Sequence, residues 1–230
     1  SGQSKRDGIR IVSPTWIYVN DEKGNLKNTI NSSYLSWAQS VGYEIWPTIK
    51  NDAIGISKTS ILLNDMNYRQ SFIDNVMTLI KKYKFKGINL DFENMYMKDR
   101  DMYAELVREL SCTLRANGII SSVDVNVPDG SENWSLCYDS KAISDIADYT
   151  IVMAYDQHGS SSKKAGSVAS LDWVELNLQK MIERDGIDSN RLVLGVPFYS
   201  RFWRVRNDVV VSTSTMTMKT TTDYMDKHSD

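Results

Sequence analysis

The chain has 230 residues, of which 41% are hydrophobic, and a formal net charge of −2. This length suffices for one large domain, and α/β barrels commonly reach it undivided. The near-neutral charge balance argues against a nucleic-acid-binding surface and against a polybasic membrane patch. No apolar run approaches the roughly 18 residues that a membrane span needs. Residues 1–4 look like a processing scar, so any secretion signal would already be removed.

β-rich segments alternate with helical ones along the chain. The predicted strands are residues 9–12, 43–49, 87–92, 120–127, 149–155 and 192–198. The predicted helices are residues 32–41, 68–84, 98–117, 140–147 and 171–184, followed by a last one at 217–227. Such alternation is typical of βαβ units and predicts a parallel sheet.

The two cysteines, Cys112 and Cys137, have neither CxxC nor Cys/His spacing. We therefore expect no zinc site and no disulfide framework. A single bridge and two free, partly buried thiols both stay open, and free thiols are our prediction. No His or Cys cluster has the spacing of metal ligands, so the sequence predicts no metal and no other cofactor.

The predicted strand at 87–92 leads into a polar stripe. Asn89, Asp91 and Glu93 are two residues apart and project to one side, whereas Ile88, Leu90 and Phe92 point the other way. A solvated sheet face would explain this pattern, but parallel sheets are covered on both faces. In a closed barrel, active sites lie at the carboxyl ends of the strands. The stripe therefore predicts a catalytic site.

The two carboxyl groups on this strand limit the chemistry. A general acid must stay protonated near neutral pH, and burial beside a like charge favours that form. Because Asp91 and Glu93 rise from one strand, they lie on the same side of a bound substrate. An ordinary two-carboxylate glycosidase needs its groups on opposite faces of the scissile bond. If the reaction is sugar hydrolysis, the nucleophile must come from elsewhere, for example from the substrate's own 2-acetamido oxygen.

Four stretches carry a family resemblance. "FKGINLDFEN" resembles the catalytic strand of family 18 glycoside hydrolases, whose pattern is DxxDxDxE. Here the positions are Lys86, Asn89, Asp91 and Glu93, so the first two acids are replaced and the D-x-E pair stands. "IVSPTWIY", "IVMAYDQ" and "RLVLGVPFYSRFW" resemble the second, sixth and seventh strands of the family. The "FEN" form and "GSVASLDWVE" are more similar to bacterial envelope and spore-cortex hydrolases than to typical chitinases.

The resemblance implies the α/β class and a (β/α)8 TIM-type barrel. We expect residues 1–230 to form a single catalytic barrel domain that is truncated at both ends, because its first and eighth strands are not evident. It also implies an extracellular protein, or one of the bacterial cell envelope or spore coat.

The resemblance further implies residue roles. Glu93 would protonate the leaving oxygen and then activate water, Asp91 would hold the acetamido N–H, and Tyr155 would donate to the acetamido oxygen. Asn89 can hydrogen-bond Asp91 but cannot share a proton with it. The predicted substrate-binding residues are Asn89, Trp16, Trp46, Met153, Asp156, Tyr199 and Arg201. Trp134 also follows a strand end and could stack on a sugar ring. Each tryptophan could equally be a packing residue, and Arg201 could equally be a salt-bridge partner.

The resulting hypothesis is a retaining hydrolase of polymers with β-linked N-acetylglucosamine, such as peptidoglycan and spore cortex, that works by substrate assistance. Two alternatives stay open: a chitinase or chitooligosaccharide hydrolase, and a non-catalytic carbohydrate-binding barrel. The expected partner is a polysaccharide containing N-acetylglucosamine. The sequence makes no prediction of the oligomeric state.

Overall fold

The computed structural model describes residues 4–228, so the predicted processing scar, apart from Ser4, lies outside the described residues. The strands are β1 Ile11–Val12, β2 Thr15–Val19, β3 Leu26–Asn28, β4 Glu44–Ile45, β5 Thr48–Lys50, β6 Gly87–Asp91, β7 Ile120–Asn126, β8 Tyr149–Met153, β9 Leu192–Gly195, β10 Tyr199–Arg206 and β11 Val209–Thr217. The helices are α1 Ser32–Ser40, α2 Gly55–Asn64, α3 Met66–Tyr83, α4 Arg100–Ala116, α5 Ser140–Ile146, α6 Leu171–Gln179 and α7 Met218–Lys227. A 3₁₀ turn, Met97–Asp99, precedes α4, and a π-helical turn, Lys180–Arg184, continues α6.

Seven strands form the main sheet, in the order β3-β2-β5-β6-β7-β8-β9. Six of these strands run parallel, namely β2, β5, β6, β7, β8 and β9, and β3 pairs antiparallel with β2. Helices connect the successive parallel strands, as parallel pairing requires. Within residues 4–228 the edge strands β3 and β9 are not paired with each other, so the barrel stays open. The predicted α/β class and incomplete barrel are confirmed.

Helices α3 and α4 pack against the face of β6 that is opposite the polar stripe. The side chain of Asp65 caps α3 by accepting hydrogen bonds from two backbone N–H groups, and Lys84 ends this helix in the left-handed region. Phe72, on the buried face of α3, meets Phe92 edge-on at 5.8 Å, and Phe92 stacks on Tyr103 of α4 at 5.8 Å. These fully buried rings hold the end of β6 against the helices, so its opposite face is left for polar chemistry.

Several elements differ from the predictions. The predicted strand at 43–49 is two strands, β4 and β5, separated at Pro47, which has no N–H to donate. Only residues 11–12 of the predicted strand at 9–12 pair, and they pair with β4. Helix α2, strands β2 and β3, and the β10–β11 hairpin were absent from the predicted elements. The hairpin turns at Asn207 and Asp208, both with positive φ, as a two-residue hairpin loop requires.

Two expectations about the whole chain can be compared with the structure. No helix within residues 4–228 combines the length and the apolarity needed to cross a membrane. Both cysteines are free thiols, with Cys112 exposed and Cys137 buried.

Candidate active site

The polar stripe lies at the carboxyl end of β6. Every residue of this strand is buried, and Asn89 and Asp91 share its inner face. The strand ends at Asp91, so Glu93 stands two residues beyond it, in the loop that leads towards α4. Strand β6 lies between β5 and β7, and both of these neighbours also end in polar side chains that reach this edge.

Two adjoining cavities open around Glu93. The larger, of about 520 Å³, is lined by Lys50, Asp91, Glu93, Asn126, Val127, Asp129, Trp134, Met153, Tyr155, Asp156, Gln157 and Trp173. The smaller, of about 310 Å³, is lined by Lys50, Asn51, Asp52, Gly55, Ile56, Glu93, Asn94 and Trp134. The two cavities share Lys50, Glu93 and Trp134. An extended ligand that crosses Glu93 would therefore find space on both sides of its carboxyl group.

A lysine that the sequence reasoning missed bridges the two carboxylates. The Nζ of Lys50 lies 3.0 Å from Oδ2 of Asp91 and 3.0 Å from Oε1 of Glu93. Burial alone lowers the pKa of Lys50, but the two carboxylates, Asp91 foremost, outweigh burial and raise it above its ordinary value. Burial and then the charge of Glu93 raise the pKa of Asp91, against the lowering effect of Lys50. The sequence signal that could have identified Lys50 is its position at the carboxyl end of a buried strand, two residues after Thr48.

The backbone beneath Glu93 is clamped by buried side chains. Asn51, which is 2% exposed, donates from Nδ2 to the carbonyl of Glu93 at 2.9 Å and accepts from its N–H at 2.9 Å. The hydroxyl of Tyr138 donates to the carbonyl of Phe92 at 2.7 Å. Three polar backbone groups next to the carboxyl side chain are thereby satisfied and held in place. No local sequence pattern singles out Asn51.

The layer below Asp91 is a second polar cluster. The Nδ2 of Asn89 donates to Oδ2 of Asp124 on β7 at 2.8 Å, and its Oδ1 accepts from the hydroxyl of Ser122 at 2.8 Å. The predicted bond from Asn89 to Asp91 is therefore replaced by bonds to the neighbouring strand. Burial and then the charge of Asp91 raise the pKa of Asp124 to about 8. The family pattern has an acid where this chain has Asn89. Here a buried carboxyl group, that of Asp124, lies one strand away on β7.

The end of β8 supplies the opposite wall. Met153, Tyr155 and Asp156 all line the larger cavity, and burial, followed by the charge of Asp124, raises the pKa of Tyr155 to about 12. Asp156, at a φ of 59°, accepts from the hydroxyl of Tyr199 at 2.8 Å and pairs with Arg201 at 2.9 Å. Tyr199 and Arg201 therefore reach the site through Asp156, as its hydrogen-bond and salt-bridge partners.

The predicted tryptophans lie in different places. Trp16 is 8% exposed and packs edge-on against Tyr34 of α1, in the layer between sheet and helices. Trp46 is 7% exposed and stacks on Tyr149, at the opposite end of the strands from Glu93. The structure does not bring these two rings to the cavities. Trp134 is 46% exposed and lines both cavities. Trp173, which the sequence reasoning passed over, lines the larger one.

The chain resembles known proteins in sequence and in fold. It matches the family "Glycosyl hydrolases family 18" over residues 50–229. It is 31% identical to "Uncharacterized glycosylase YvbX" of Bacillus subtilis (strain 168), over 90% of this chain and 60% of that protein. A chitinase from Chromobacterium violaceum ATCC 12472 has a TM-score of 0.84 at 20% identity, over 95% of this chain and 69% of that chain. The Bacillus cereus spore cortex-lytic enzyme SleL has a TM-score of 0.82 at 18% identity, over 96% and 52%.

These matches differ in how much of each protein they cover. The structural likenesses, at 18% and 20% identity, establish the fold. The chain spans about 60% of YvbX and about half of SleL. The family match covers well over half of the chain and includes Lys50, Asp91, Glu93 and Tyr155. The resemblance predicted from the sequence motifs is confirmed, and the chain belongs to family 18 of the glycosyl hydrolases.

Proposed function

We propose that this chain is a retaining glycoside hydrolase that cleaves β-linked N-acetylglucosamine polymers of the peptidoglycan and spore-cortex class. One observation carries the proposal: Asp91, at the end of β6, and Glu93, two residues beyond it, line a cleft that extends to both sides of Glu93. The likeness to spore cortex-lytic enzyme SleL supports this substrate class and a place at the cell envelope, spore or cell exterior.

The proposed reaction follows from the position of the two carboxyl groups. Glu93 donates a proton to the glycosidic oxygen while the substrate's acetamido oxygen attacks the anomeric carbon, which breaks the glycosidic bond and closes an oxazolinium ring. Asp91 accepts a hydrogen bond from the acetamido N–H, and Tyr155 donates its hydroxyl to the acetamido oxygen. Glu93, now ionised, takes a proton from water as the water opens the ring. Two inversions give net retention.

A chitooligosaccharide hydrolase is the second candidate, because the chitinase from Chromobacterium violaceum has an equally similar fold. The discriminating experiment is product analysis by mass spectrometry after incubation with peptidoglycan, cortex fragments and chitooligosaccharides in parallel. We expect cleavage of the muropeptide polymers to exceed that of chitooligosaccharides. The reverse order would assign the chitinase function.

The matched control is Glu93→Gln, which keeps the shape of the side chain and removes the acid proton. We expect it to fold normally and to lose hydrolysis by about 10²–10⁴-fold, the usual contribution of general acid–base catalysis. Thermal denaturation would establish that the variant is folded. Near-parental turnover by a folded Glu93→Gln variant would show that this proposal is wrong about its central residue.

A further inference from the structure

A cation lies among the acidic groups of the cleft. The side chain of Lys50 is 23% exposed, and its Nζ bridges Asp91 and Glu93 at 3.0 Å each. The register of the sheet imposes this contact, because Lys50 is the cross-strand partner of Asp91 in the β5–β6 ladder. Lys50 projects to the same inner face as Asp91, so its ammonium group reaches both carboxylates.

The surroundings of this cation are acidic. Among the described residues that line the two cavities, Lys50 is the only one with a positive charge. Arg201 is paired with Asp156. Within residues 4–228, the other titratable groups around Glu93 are acidic or phenolic: Asp52, Asp91, Asp129, Tyr155 and Asp156 in the cavity walls, Asp124 beneath Asp91 on β7, and Tyr138 at the Phe92 carbonyl.

This contact opposes the proposed reaction at its first step. A charge-assisted hydrogen bond from an ammonium group stabilises the ionised form of a carboxyl group. Glu93 must instead hold a proton to act as a general acid. Asp91 can offer its unpartnered Oδ1 to the acetamido N–H while Nζ occupies Oδ2, so the conflict concerns Glu93. The free site is therefore arranged as an ion pair, and the reaction needs a different arrangement.

We propose that Lys50 is a positioning residue whose ammonium group bridges Asp91 and Glu93 in the free protein and is displaced from Glu93 when substrate binds. The displaced Lys50 stays with Asp91, and the released Glu93 carboxylate takes up one proton from solvent. Binding of the sugar thus brings about protonation of the general acid, Glu93. This inference rests on the hydrolase function proposed above.

The proposal predicts a gap between two pH profiles. The profile of kcat/KM reports ionisations of the free enzyme, and that of kcat reports ionisations of the enzyme–substrate complex. Because Lys50 opposes protonation of Glu93 only in the free protein, the alkaline limb of kcat/KM should lie at lower pH than that of kcat. In Lys50→Met the kcat/KM limb should move to higher pH, because the ammonium group 3.0 Å from the Glu93 carboxyl group is gone.

Three variants separate this role from general effects. Lys50→Arg keeps the cation and should keep the gap. Lys50→Gln removes the charge with a polar side chain and should behave as Lys50→Met does, which guards against a folding defect in the latter. Lys58→Met breaks an ion pair with Glu22, and because neither residue lines the two cavities, both profiles should stay unchanged. Unmoved profiles in folded Lys50→Met and Lys50→Gln, or loss of activity in both at every pH, would overturn the proposal.

A second readout does not depend on hydrolysis. In the free protein, ¹³C NMR of the side-chain carboxyl groups follows Asp91, whose pKa Lys50 lowers against the raising effect of burial. Lys50→Met should move the titration of Asp91 to higher pH, and Lys58→Met should not. If the parental protein hydrolyses none of the polymers, the proposed function fails. The NMR titration then still decides on the bridge, which an unmoved Asp91 would contradict.

Discussion

Replacing Asp124 with Asn should make the stability of the protein less sensitive to pH. Asp124 is 8% exposed, and burial beside Asp91 raises its pKa to about 8. An unfolded Asp has a pKa of about 3.9. The folded state therefore binds the proton more tightly than the unfolded state does. The stability that this carboxyl group contributes is complete below about pH 4 and is lost as the pH rises towards 8.

The magnitude follows from this difference in proton binding. Between pH 5 and pH 7 the unfolded Asp124 is ionised and the folded one is protonated, so each pH unit removes about 1.4 kcal/mol of stability. The asparagine side chain of the variant cannot titrate. The free energy of unfolding of Asp124→Asn, relative to the parental protein, should thus rise by about 2.5 kcal/mol from pH 5 to pH 7. Asp91 titrates in both proteins, so its contribution largely cancels in the difference.

Urea denaturation followed by tryptophan fluorescence, at several pH values from 5 to 7, measures this quantity. Asp148→Asn is the matched control: burial raises the pKa of Asp148, but hydrogen bonds from Ser121 and Arg115 outweigh burial and lower it. Its stabilising effect is lost only as the pH falls below about 4, so the cost of Asp148→Asn should be constant from pH 5 to pH 7. A constant difference for Asp124→Asn as well would refute the reasoning, because Asp124 would then be ionised in the fold.

Three further predictions concern the cleft. Proton NMR of the first product, before mutarotation, should show the β-anomer, and substrates without the 2-acetamido group should be inert; an α-anomer would place the nucleophile elsewhere. Trp134→Ala should raise KM for oligosaccharides about two- to tenfold through lost ring stacking, whereas Trp46→Ala should leave KM unchanged in the folded fraction and lower the unfolding free energy by about 3–5 kcal/mol; equal effects on KM would contradict this division. Asn51→Ala should lower stability by about 1–3 kcal/mol, since it leaves the partly buried backbone N–H and carbonyl of Glu93 without their partner; an unchanged thermal midpoint would show that water replaces the Asn51 side chain.

The local sequence pattern predicted some helices and strands correctly and missed others. The amphipathic stretch at 68–84 predicted α3, which spans Met66–Tyr83, because an 18-residue helix with one apolar face repeats its signal many times. The β10–β11 hairpin has mixed polar residues on both faces and carried no such periodicity. Pro47 splits the predicted strand at 43–49, and the two halves pair in different sheets. Short elements therefore depended on tertiary pairing.

The positions of the tryptophans also depended on tertiary structure and not on the local sequence pattern alone. Trp16, Trp46 and Trp134 all lie near strand ends in the sequence, so each could either stack on sugar or pack in the core. Only the assembled fold decides which end of the barrel a strand-end ring faces, and which rings the helices cover. Trp46 fills the end opposite the cleft, whereas Trp134 stays 46% exposed beside Glu93.

The sequence by itself determined that Asn89 and Asp91 share one face of a buried strand, with Glu93 just beyond its end, because the two-residue period of a strand needs no partner. Tertiary structure alone decided what those side chains touch. Lys50 lies 43 positions from Glu93, Asn51 lies 42 positions from it, and Asp124 lies 35 positions from Asn89. The register between neighbouring strands creates these contacts, and register is set by how the whole sheet and its helices pack rather than by any local pattern.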